Sequence, residues 1–286
     1  MERIGIIGGS GLYQLEGLKN KKEIVLNTPF GKPSDKFVLA KIEDREIVFL
    51  PRHGRFHTLS PTQINYRANI YGFKKLNVGW LISVTACGSL KEEIRPLDFV
   101  IPTQFVDRTN QARCQTFFDE GIVVHVGFSK PICENLANIL DMAVKEIGLI
   151  SHYGKTYINM EGPQFSTLAE SNLYRSWDMD IIGMTNMTEA RLAKEASICY
   201  ATLAAVTDYD CWHPQHDHVS VDMILENLSK NVNNAKKILK RVILKIPKER
   251  NCSCKEALKY SIVTDKKYIP SKIKKRLKII IGEYLK

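Results

Sequence analysis

The chain has 286 residues, of which 44 % are hydrophobic and 25 % charged, a balance typical of a folded protein and unlike that of a disordered or fibrous one. No apolar run approaches the roughly 18 residues that indicate a membrane span, and the opening residues lack the basic region and long apolar stretch of a secretory signal. We therefore expect one domain over residues 1–286, in the cytoplasm and without membrane contact.

The net charge of +10 is concentrated near the C-terminus. Residues 229–286 hold 18 Lys and Arg against 4 Asp and Glu, a net charge of +14, so the first 228 residues carry −4. Such a segment could bind nucleic acid, but no aromatic-rich strand, zinc finger or helix-turn-helix pattern accompanies it. We favour a solvated helical face and expect no nucleic-acid partner.

Apolar runs alternate with segments of helical periodicity, which predicts an α/β fold with a central sheet. The predicted strands are 4–7, 37–42, 46–51, 80–86, 98–105, 157–160, 179–183 and 197–207. The predicted helices are 61–76, 132–147, 168–177, 188–196, 221–244 (with Ser220 as its N-cap) and a shorter one near 273–285. Residues 247–272 form the least regular stretch.

The first predicted strand runs into a glycine-rich turn, "GGSG". Its glycine spacing fits neither a dinucleotide fingerprint nor a P-loop. The backbone N–H groups and the Ser10 hydroxyl could cradle a single phosphate. A tight turn that requires positive φ explains the glycines equally well.

Basic side chains follow the third predicted strand in "LPRHGRFHTLSP". Arg52 offers a two-pronged fork to phosphate oxygens, and His53 adds a donor. His53 and His57 are spaced as in the zinc motif H-E-x-x-H, but the Glu is missing and Gly54 opposes a helix, so we expect no zinc there. An exposed basic loop is the alternative interpretation.

Two more predicted strands end in hydroxyl residues, Thr85 in "TACGSL" and Thr185 in "GMTNMT". The last strand ends at Asp208 and Asp210 in "TDYDCW". If that segment stays extended, side chains two apart face one spot. The acids could then bind a metal, share a proton or accept hydrogen bonds from a ligand edge. Ligands in open α/β sheets gather where strands end, so we expect one site there.

Seven cysteines, at positions 87, 114, 133, 199, 211, 252 and 254, are odd in number. The pair in "NCSCKEA" is C-x-C, and no His or second Cys pair stands near it in sequence to complete a tetrahedral zinc site. We therefore expect no metal, and leave disulfides open, since cytosolic thiols are normally reduced except in hyperthermophiles.

The chain resembles the trimeric purine nucleoside phosphorylases, in the branch that cleaves S-methyl-5'-thioadenosine. The resemblance rests on "IGIIGGSGL", "TPFGKPSD", "RHGRFHTLSP", "NYRANI", "TACGSL", "EGPQFST", "MTNMTEARLAKEASICYA", "TDYDCW" and "VSVD", which stand in the family's order from residue 4 to about 222. It implies a central mixed sheet flanked by helices. The basic segment from about 245 to 286 lies outside the strong match.

The resemblance also implies a set of site residues, with inorganic phosphate as co-substrate and no cofactor or metal. The phosphate would contact Ser10, Arg52, His53, Thr85, the backbone N–H of Ala86, and Thr185. The nucleoside would contact Met184 at the ribose, Phe165, Asp208 and Asp210 at the purine, Val221 and Ile224 at the methylthio group, and His125 from a neighbouring subunit of a trimer or a dimer of trimers.

In such a phosphorolysis the phosphate attacks the anomeric carbon while the purine leaves with negative charge. An acid that protonates N7 lowers the barrier, and we assign this role to Asp208, whose pKa must be raised by burial and by Asp210. Asp210 would interact with the 6-amino group. Family members that use 6-oxopurines carry Asn where Asp208 stands, and Glu where Ser166 stands, so two carboxylates favour a 6-aminopurine.

Several features of the resemblance leave alternatives open. Gln164 and Gly183 stand where a common family version has Arg and Asn, so broader activity on adenosine, inosine or guanosine remains an alternative. A second alternative is a nucleoside- or nucleic-acid-binding protein without catalysis. Thermophilic relatives imply disulfides between Cys133 and Cys199 and within Cys252-Ser253-Cys254.

Overall fold

Nine strands form one mixed sheet in the computed structural model, which describes residues 2–9, 11–12, 15–110, 112–214 and 221–285, without the side chains of 221–225. The strands are β1 (Arg3–Gly8), β2 (Lys19–Ile24), β3 (Phe37–Ile42), β4 (Arg45–Pro51), β5 (Val78–Ser89), β6 (Phe99–Arg108), β7 (Ser151–Met160), β8 (Ile181–Gly183) and β9 (Cys199–Asp208). The helices are α1 (Tyr66–Lys75), α2 (Glu134–Glu146), α3 (Leu168–Ser176), α4 (Asn186–Glu195), α5 (Val221–Lys245), α6 (Ser271–Arg276) and α7 (Lys278–Ile281). The predicted α/β fold class is confirmed.

The strand order is β2-β3-β4-β1-β5-β8-β7-β6-β9, and β9 also pairs with β5. The strands β5, β8, β7, β6 and β9 therefore close into a ring. Strands β4, β1, β5 and β9 run parallel, so their carboxyl ends meet at one edge. All ten residues of β9 are buried, as expected for a parallel strand covered on both faces, which reads as a continuous apolar run.

The helices cover the sheet with their apolar faces. Helix α5 packs on β9 and on α2, and α4 packs on β9 and on α1. On α5 the buried residues recur at steps of three and four, and they are Ala235, Ile238, Leu239, Val242 and Ile243. Two amides of the same helix, Asn227 and Asn231, donate to the backbone oxygens of Thr207 and Val206 at 2.8 Å. The helix thus fixes the end of β9.

The sequence missed one strand and misplaced several boundaries. Strand β2 is almost wholly exposed along its length, because it is an edge strand of sequence KNKKEI, and edge strands carry charge that opposes further pairing. The predicted helix 61–76 is a 3₁₀ turn (Pro61–Gln63) followed by α1. The predicted helix 273–285 is the two short helices α6 and α7. Ser220 lies outside the described residues.

The basic C-terminal segment is docked on the body of the protein. Its apolar side chains join the main core, namely Cys254, Leu258, Ile269, Ile273, Leu277, Ile280 and Ile281. Arg250 donates to Glu2 at 2.5 and 2.7 Å. The charge excess is thus carried on a packed surface, as the helical-face interpretation expected. Among the described residues, no helix is long and apolar enough to cross a membrane.

Candidate active site at the strand ends

A buried ion pair lies beneath the carboxyl ends of the strands. Arg52, the first residue after β4, is 3 % exposed, and its side chain pairs with the fully buried carboxylate of Glu189 on α4. Burial alone would lower the pKa of Arg52, but the Glu189 carboxylate outweighs it and raises the pKa. Arg52 is therefore a permanent cation in a dry environment.

The same guanidinium also donates to Ser83 Oγ at 2.6 Å and to the Val84 backbone oxygen at 3.1 Å. The guanidinium has five N–H donors. These bonds and the ion pair with Glu189 leave at most one of them, on Nη1, for a further acceptor. Arg52 cannot offer a two-pronged fork to a ligand in this arrangement. Its charge can still attract an anion, and one N–H can contact it.

Glu189 belongs to a larger polar network between α4, β5 and β9. Ser83 Oγ and Tyr200 Oη donate to Glu189 at 2.8 and 3.1 Å. The Asn186 amide nitrogen lies 2.9–3.0 Å from Ser83 Oγ, Tyr200 Oη and Thr202 Oγ1, and these three oxygens share its two hydrogens. Because every member is buried, this network fixes the strand ends relative to α4.

His53 lies beside Arg52 and is held as a neutral imidazole. Its Nδ1 lies 2.8 Å from the Leu59 backbone oxygen, and its ring stacks on His57 at 4.4 Å. Burial and the Arg52 charge lower the pKa of His53 to about 4. With Nδ1–H donating to Leu59, Nε2 is an acceptor, which suits a protonated phosphate oxygen.

Thr85, Ala86 and Thr185 stand close to the ion pair. Ala86 is exposed. It pairs with Ala205 of β9, but the pairing of β5 with β1 ends at Ser83 and that with β8 begins at Gly88, so one side of the strand is open here. Thr185 is 3 % exposed and is the N-cap of α4, yet its hydroxyl makes no capping bond to the helix backbone. The positive end of the α4 dipole points to this place, which favours an anion.

Met184 is positioned by a second arginine, Arg113. The guanidinium of Arg113 is buried and donates to the Met184 backbone oxygen at 2.5 Å, and it forms an ion pair with Glu161 at 2.8 Å. Gly162 packs so closely against the Met184 side chain that a Cβ there would overlap its sulfur. The "EGPQF" loop and Met184 are thus one structural unit.

Asp208 and Asp210 lie together, but the segment does not stay extended. Strand β9 ends at Asp208, and Asp210 adopts a left-handed φ of 54°. The Asp210 backbone N–H donates to Asp208 Oδ1 at 2.8 Å. Both carboxyls are buried, with 8 % and 6 % exposure, and burial raises the pKa of each. The expected raised pKa of Asp208 is thus present, although burial contributes more to it than Asp210 does.

Thr207 also contacts the Asp208 carboxyl. Its Oγ1 lies 2.6 Å from Asp208 Oδ2 and 3.2 Å from the Cys87 backbone oxygen, with one hydrogen for the two acceptors. When Thr207 donates to Cys87, its oxygen can accept a proton held on Oδ2. This contact accommodates the protonated form of Asp208. Across the sheet, Gly88 is the register partner of Asp208, and Thr85 precedes it by three residues, about 10 Å along the strand.

The remaining predicted residues are exposed or lie outside the part of the chain that the structure describes. Phe165 is 61 % exposed, and His125 is exposed on the loop that pairs with the C-terminal segment. Ser10 lies outside the described residues, as do the side chains of Val221 and Ile224, which fall in the first turn of α5. Among the described glycines of "GGSG", none has positive φ. The reason for a glycine at position 8 is steric, because a Cβ there would lie 2.9 Å from the Val84 backbone oxygen.

Sequence reasoning missed Glu189, Asn186 and Arg113. Glu189 and Asn186 lie within "TNMTEAR", where a charged and an amide residue occupy positions that the helix buries. Polar residues at buried helix positions can indicate a functional role. This indication can be used only when the face of α4 that packs on the sheet is known. Arg113 falls in an irregular loop and gave no periodic signal.

Gly183 departs from a common family version and has a steric explanation here. A Cβ at Gly183 would overlap the hydroxyl of Tyr157, a fully buried residue of β7. The Tyr157 side chain fills the volume that a side chain at position 183 would need. The departure at position 183 therefore has a packing explanation.

Comparisons with known proteins show the family to which the chain belongs. A model of the phosphorylase superfamily matches residues 3–244. The chain is 56 % identical to S-methyl-5'-thioadenosine phosphorylase of Koribacter versatilis (strain Ellin345), over 98 % of this chain and 96 % of the relative. It is also 56 % identical to that of Geobacter sulfurreducens, over 99 % of both chains.

Solved structures give the same result. A methylthioadenosine phosphorylase sourced from an antarctic soil metagenomic library superposes with a TM-score of 0.93 at 47 % identity, covering 98 % of both chains. Methylthioadenosine phosphorylase from Schistosoma mansoni in complex with adenine has a TM-score of 0.84 at 36 % identity, covering 91 % of this chain and 96 % of the other. The two curated matches extend through the basic C-terminal segment, which the superfamily model does not reach.

Proposed function

Because the chain belongs to the phosphorylase superfamily, we propose that it cleaves S-methyl-5'-thioadenosine with inorganic phosphate, giving adenine and 5-methylthioribose 1-phosphate. The protein is thus a pentosyltransferase, and the names of its curated relatives support this substrate. The single observation that carries the proposal is Asp208, a buried carboxyl of raised pKa beside an anion site.

On the phosphate side, four features support binding of an anion. These are the Arg52 charge, the neutral His53 acceptor, the Thr85–Ala86 segment and the N-terminus of α4 at Thr185. Monohydrogen phosphate carries one O–H, which His53 Nε2 can accept, while its charged oxygens meet the helix dipole and hydroxyls. Ser10 would close the site from the β1 turn.

On the base side, Asp208 supplies a proton to N7 as the glycosidic bond breaks. The transition state has oxocarbenium character at the ribose, and the bound phosphate is both nucleophile and counter-charge. Since burial raises the pKa of Asp208, the carboxyl retains its proton closer to neutral pH than an exposed Asp does. Asp210 would accept from the 6-amino group.

The nucleoside side would use further residues, of which Phe165 and His125 are exposed in one chain. Met184 would lie against the ribose, Phe165 would pack on the purine, and Val221 with Ile224 would surround the methylthio group. We propose that His125 reaches this site from a neighbouring subunit of a trimer or dimer of trimers. Light scattering coupled to gel filtration tests this: three or six chains per particle support it, and a monomer that is fully active contradicts it.

The phosphate requirement separates phosphorolysis from hydrolysis and from simple binding. Adenine release from S-methyl-5'-thioadenosine should need inorganic phosphate and yield one sugar phosphate per adenine. Release at an equal rate without phosphate would contradict phosphorolysis. Binding without any release would indicate a binding protein.

Substrate preference is tested by comparing kcat/KM for S-methyl-5'-thioadenosine, adenosine and inosine at saturating phosphate. The two carboxylates predict that both 6-amino substrates exceed inosine, and the apolar Val221 and Ile224 predict that the methylthio compound exceeds adenosine. Inosine as the best substrate would contradict the assignment of Asp208 and Asp210.

A further inference from the structure

Four cysteines that are distant in sequence meet in space, far from the site described above. They are Cys133, Cys199, Cys252 and Cys254, and their sulfur atoms all lie within 4.8 Å of one another. Sequence spacing argued against a zinc site because the C-x-C pair has no neighbouring partner pair. The fold supplies that partner pair from α2 and β9.

Each part of the cluster comes from a different element. Cys133 is the N-cap of α2, and its N–H donates to the Tyr200 backbone oxygen at 2.8 Å. Cys199 is the first residue of β9. Cys252 and Cys254 flank the start of the 3₁₀ turn Ser253–Glu256. The C-terminal segment therefore meets the body of the protein at these sulfurs.

The spacing of the sulfurs fits tetrahedral coordination. The Sγ of Cys252 lies 3.7 Å from that of Cys133 and 3.2 Å from that of Cys199. Four thiolates at about 2.3 Å from a central zinc are about 3.8 Å from one another. To reach that geometry, the shortest edge must lengthen by about 0.6 Å, and an edge near the 4.8 Å limit must shorten by about 1 Å. All seven cysteines are free thiols in the structure, and the two implied disulfides stay a prediction.

The surroundings compensate negative charge on the sulfurs. The N-terminus of α2 directs its positive end at Cys133. Arg250 lies with Nη1 4.0 Å from Cys199 Sγ, and it is held there by the Ser197 oxygen at 2.6 Å and by Glu2. These are the surroundings that a metal-bound thiolate set requires.

Burial supports a structural role for the cluster. Cys133, Cys199 and Cys254 are buried, while Cys252 is half-buried and leaves a path for entry from solvent. Cysteine-only tetrahedral sites are closed structural zinc sites, without an open position for catalysis. The cluster also lies at the start of β9, about 30 Å along the strand from Asp208 at its end.

We propose that Cys133, Cys199, Cys252 and Cys254 bind one zinc ion that fastens the C-terminal segment to α2 and β9. The donor set is soft and entirely sulfur, which selects zinc over magnesium or calcium. Binding releases the thiol protons and forms four Zn–S bonds, with no change in oxidation state. The alternative is that these four thiols form two disulfides, which requires an oxidant.

The first experiment measures metal in the intact protein, purified under reducing conditions without chelator. Elemental analysis should find one zinc per chain. Protein stripped by a strong chelator under reduction and given Co²⁺ should show the visible bands of a tetrahedral tetrathiolate and a sulfur-to-cobalt charge-transfer band. Zinc should then displace the cobalt and abolish those bands.

Single variants separate the cluster from other thiols. Cys252→Ser should lower the zinc content to a small fraction and reduce the Tm, because three ligands hold the ion less tightly. Cys114→Ser, an exposed thiol outside the cluster, should keep one zinc per chain. Should Cys252→Ser fail to fold, adding chelator to the wild-type protein gives the same test, with a lower Tm that added zinc restores.

The proposal is independent of the active-site assignment, because its readouts are metal content and Tm. It is overturned by absence of zinc together with no cobalt bands in reduced protein. It is equally overturned if the freshly purified native protein contains Cys133–Cys199 and Cys252–Cys254 disulfides by mass spectrometry.

Discussion

The phosphate half and the nucleoside half of the site differ in how completely one chain builds them. The phosphate half rests on the buried Arg52–Glu189 pair, and its network partners are fully buried. In the proposed nucleoside half, Asp208 and Asp210 are buried, whereas Phe165 and His125 are exposed. On the proposed assignment, the described residues of a single chain hold the phosphate contacts and the proton donor in place and leave Phe165 and His125 exposed.

This difference predicts which properties of the protein should change when a residue of each half is substituted. A buried charge network changes stability and phosphate affinity when a member is removed, since a charge is left without its partner. An exposed aromatic changes nucleoside affinity alone. Substitutions in each half therefore test whether the two halves differ in this way.

Asp208→Ala should reduce kcat by roughly 10²–10⁴-fold if Asp208 is the general acid. The wild-type rate should fall as the pH rises through the raised pKa of Asp208, because only the protonated form donates, and the variant should lose that decline. Steady-state rates over a pH series check both. An unchanged rate would remove Asp208 from the chemistry.

The control for this variant is Asp178→Ala, whose side chain is 89 % exposed and lies outside the site; it should retain wild-type rates. Asp208→Asn adds a test of specificity. An amide can donate to a 6-carbonyl, so the ratio of inosine to S-methyl-5'-thioadenosine activity should rise.

Glu189→Gln should destabilise the protein by about 3–5 kcal/mol, because it leaves the Arg52 cation buried without its counter-charge. It should also raise the KM for phosphate more than the KM for the nucleoside, since Arg52 loses its orientation. Chemical denaturation and two-substrate kinetics measure these effects. Equal changes in both KM values would contradict a positioning role on the phosphate side.

Glu195→Gln is a matched control, since Glu195 ends the same helix and accepts from the neutral donors Thr116 Oγ1 and Phe117 N–H at 2.7 Å. An amide can satisfy both contacts. If Glu189→Gln acts through Arg52, Glu195→Gln should leave the phosphate KM unchanged.

The sequence predicted the site better where chemistry followed strand ends than where it depended on tertiary packing. Arg52, Thr85 and Asp208 end or follow apolar runs, so the parallel arrangement of strands places them at one edge. The extended geometry assumed for Asp208 and Asp210 was wrong, because the chain turns at Asp210. Their proximity comes from that turn.

The rest could not be predicted, because it depends on contacts between distant segments. Glu189 pairs with a residue 137 positions away, and the cysteine cluster joins Cys133 to Cys252 across 119. No local pattern specifies such partners. Strand β2 was missed for the opposite reason, since an exposed edge strand has no apolar alternation to detect.

Glu195→Gln also makes a prediction about stability and pH. Burial raises the pKa of Glu195 from 4.5 to about 7, so the folded protein holds this proton more tightly than the unfolded chain. The contribution of Glu195 to the free energy of unfolding is therefore fully present below its pKa in the unfolded chain, 4.5. It is lost as the pH rises through its pKa in the folded protein, about 7. Relative to wild type, Glu195→Gln should gain up to about 3 kcal/mol across that range. A difference that stays constant with pH would contradict the raised pKa.

Phe165→Ala should have the smallest effect and bears most directly on the contrast between the two halves. Aromatic stacking contributes about 0.5–1.5 kcal/mol, so kcat/KM for the nucleoside should fall by only a few-fold, to about ten-fold at most. Because the side chain is 61 % exposed, the free energy of unfolding and the phosphate KM should stay at wild-type values. Tyr260→Ala, at a residue 91 % exposed, should change none of the three. A large loss of stability in Phe165→Ala would show that this residue belongs to the packed structure, and the division between a finished phosphate half and an open nucleoside half would then fail.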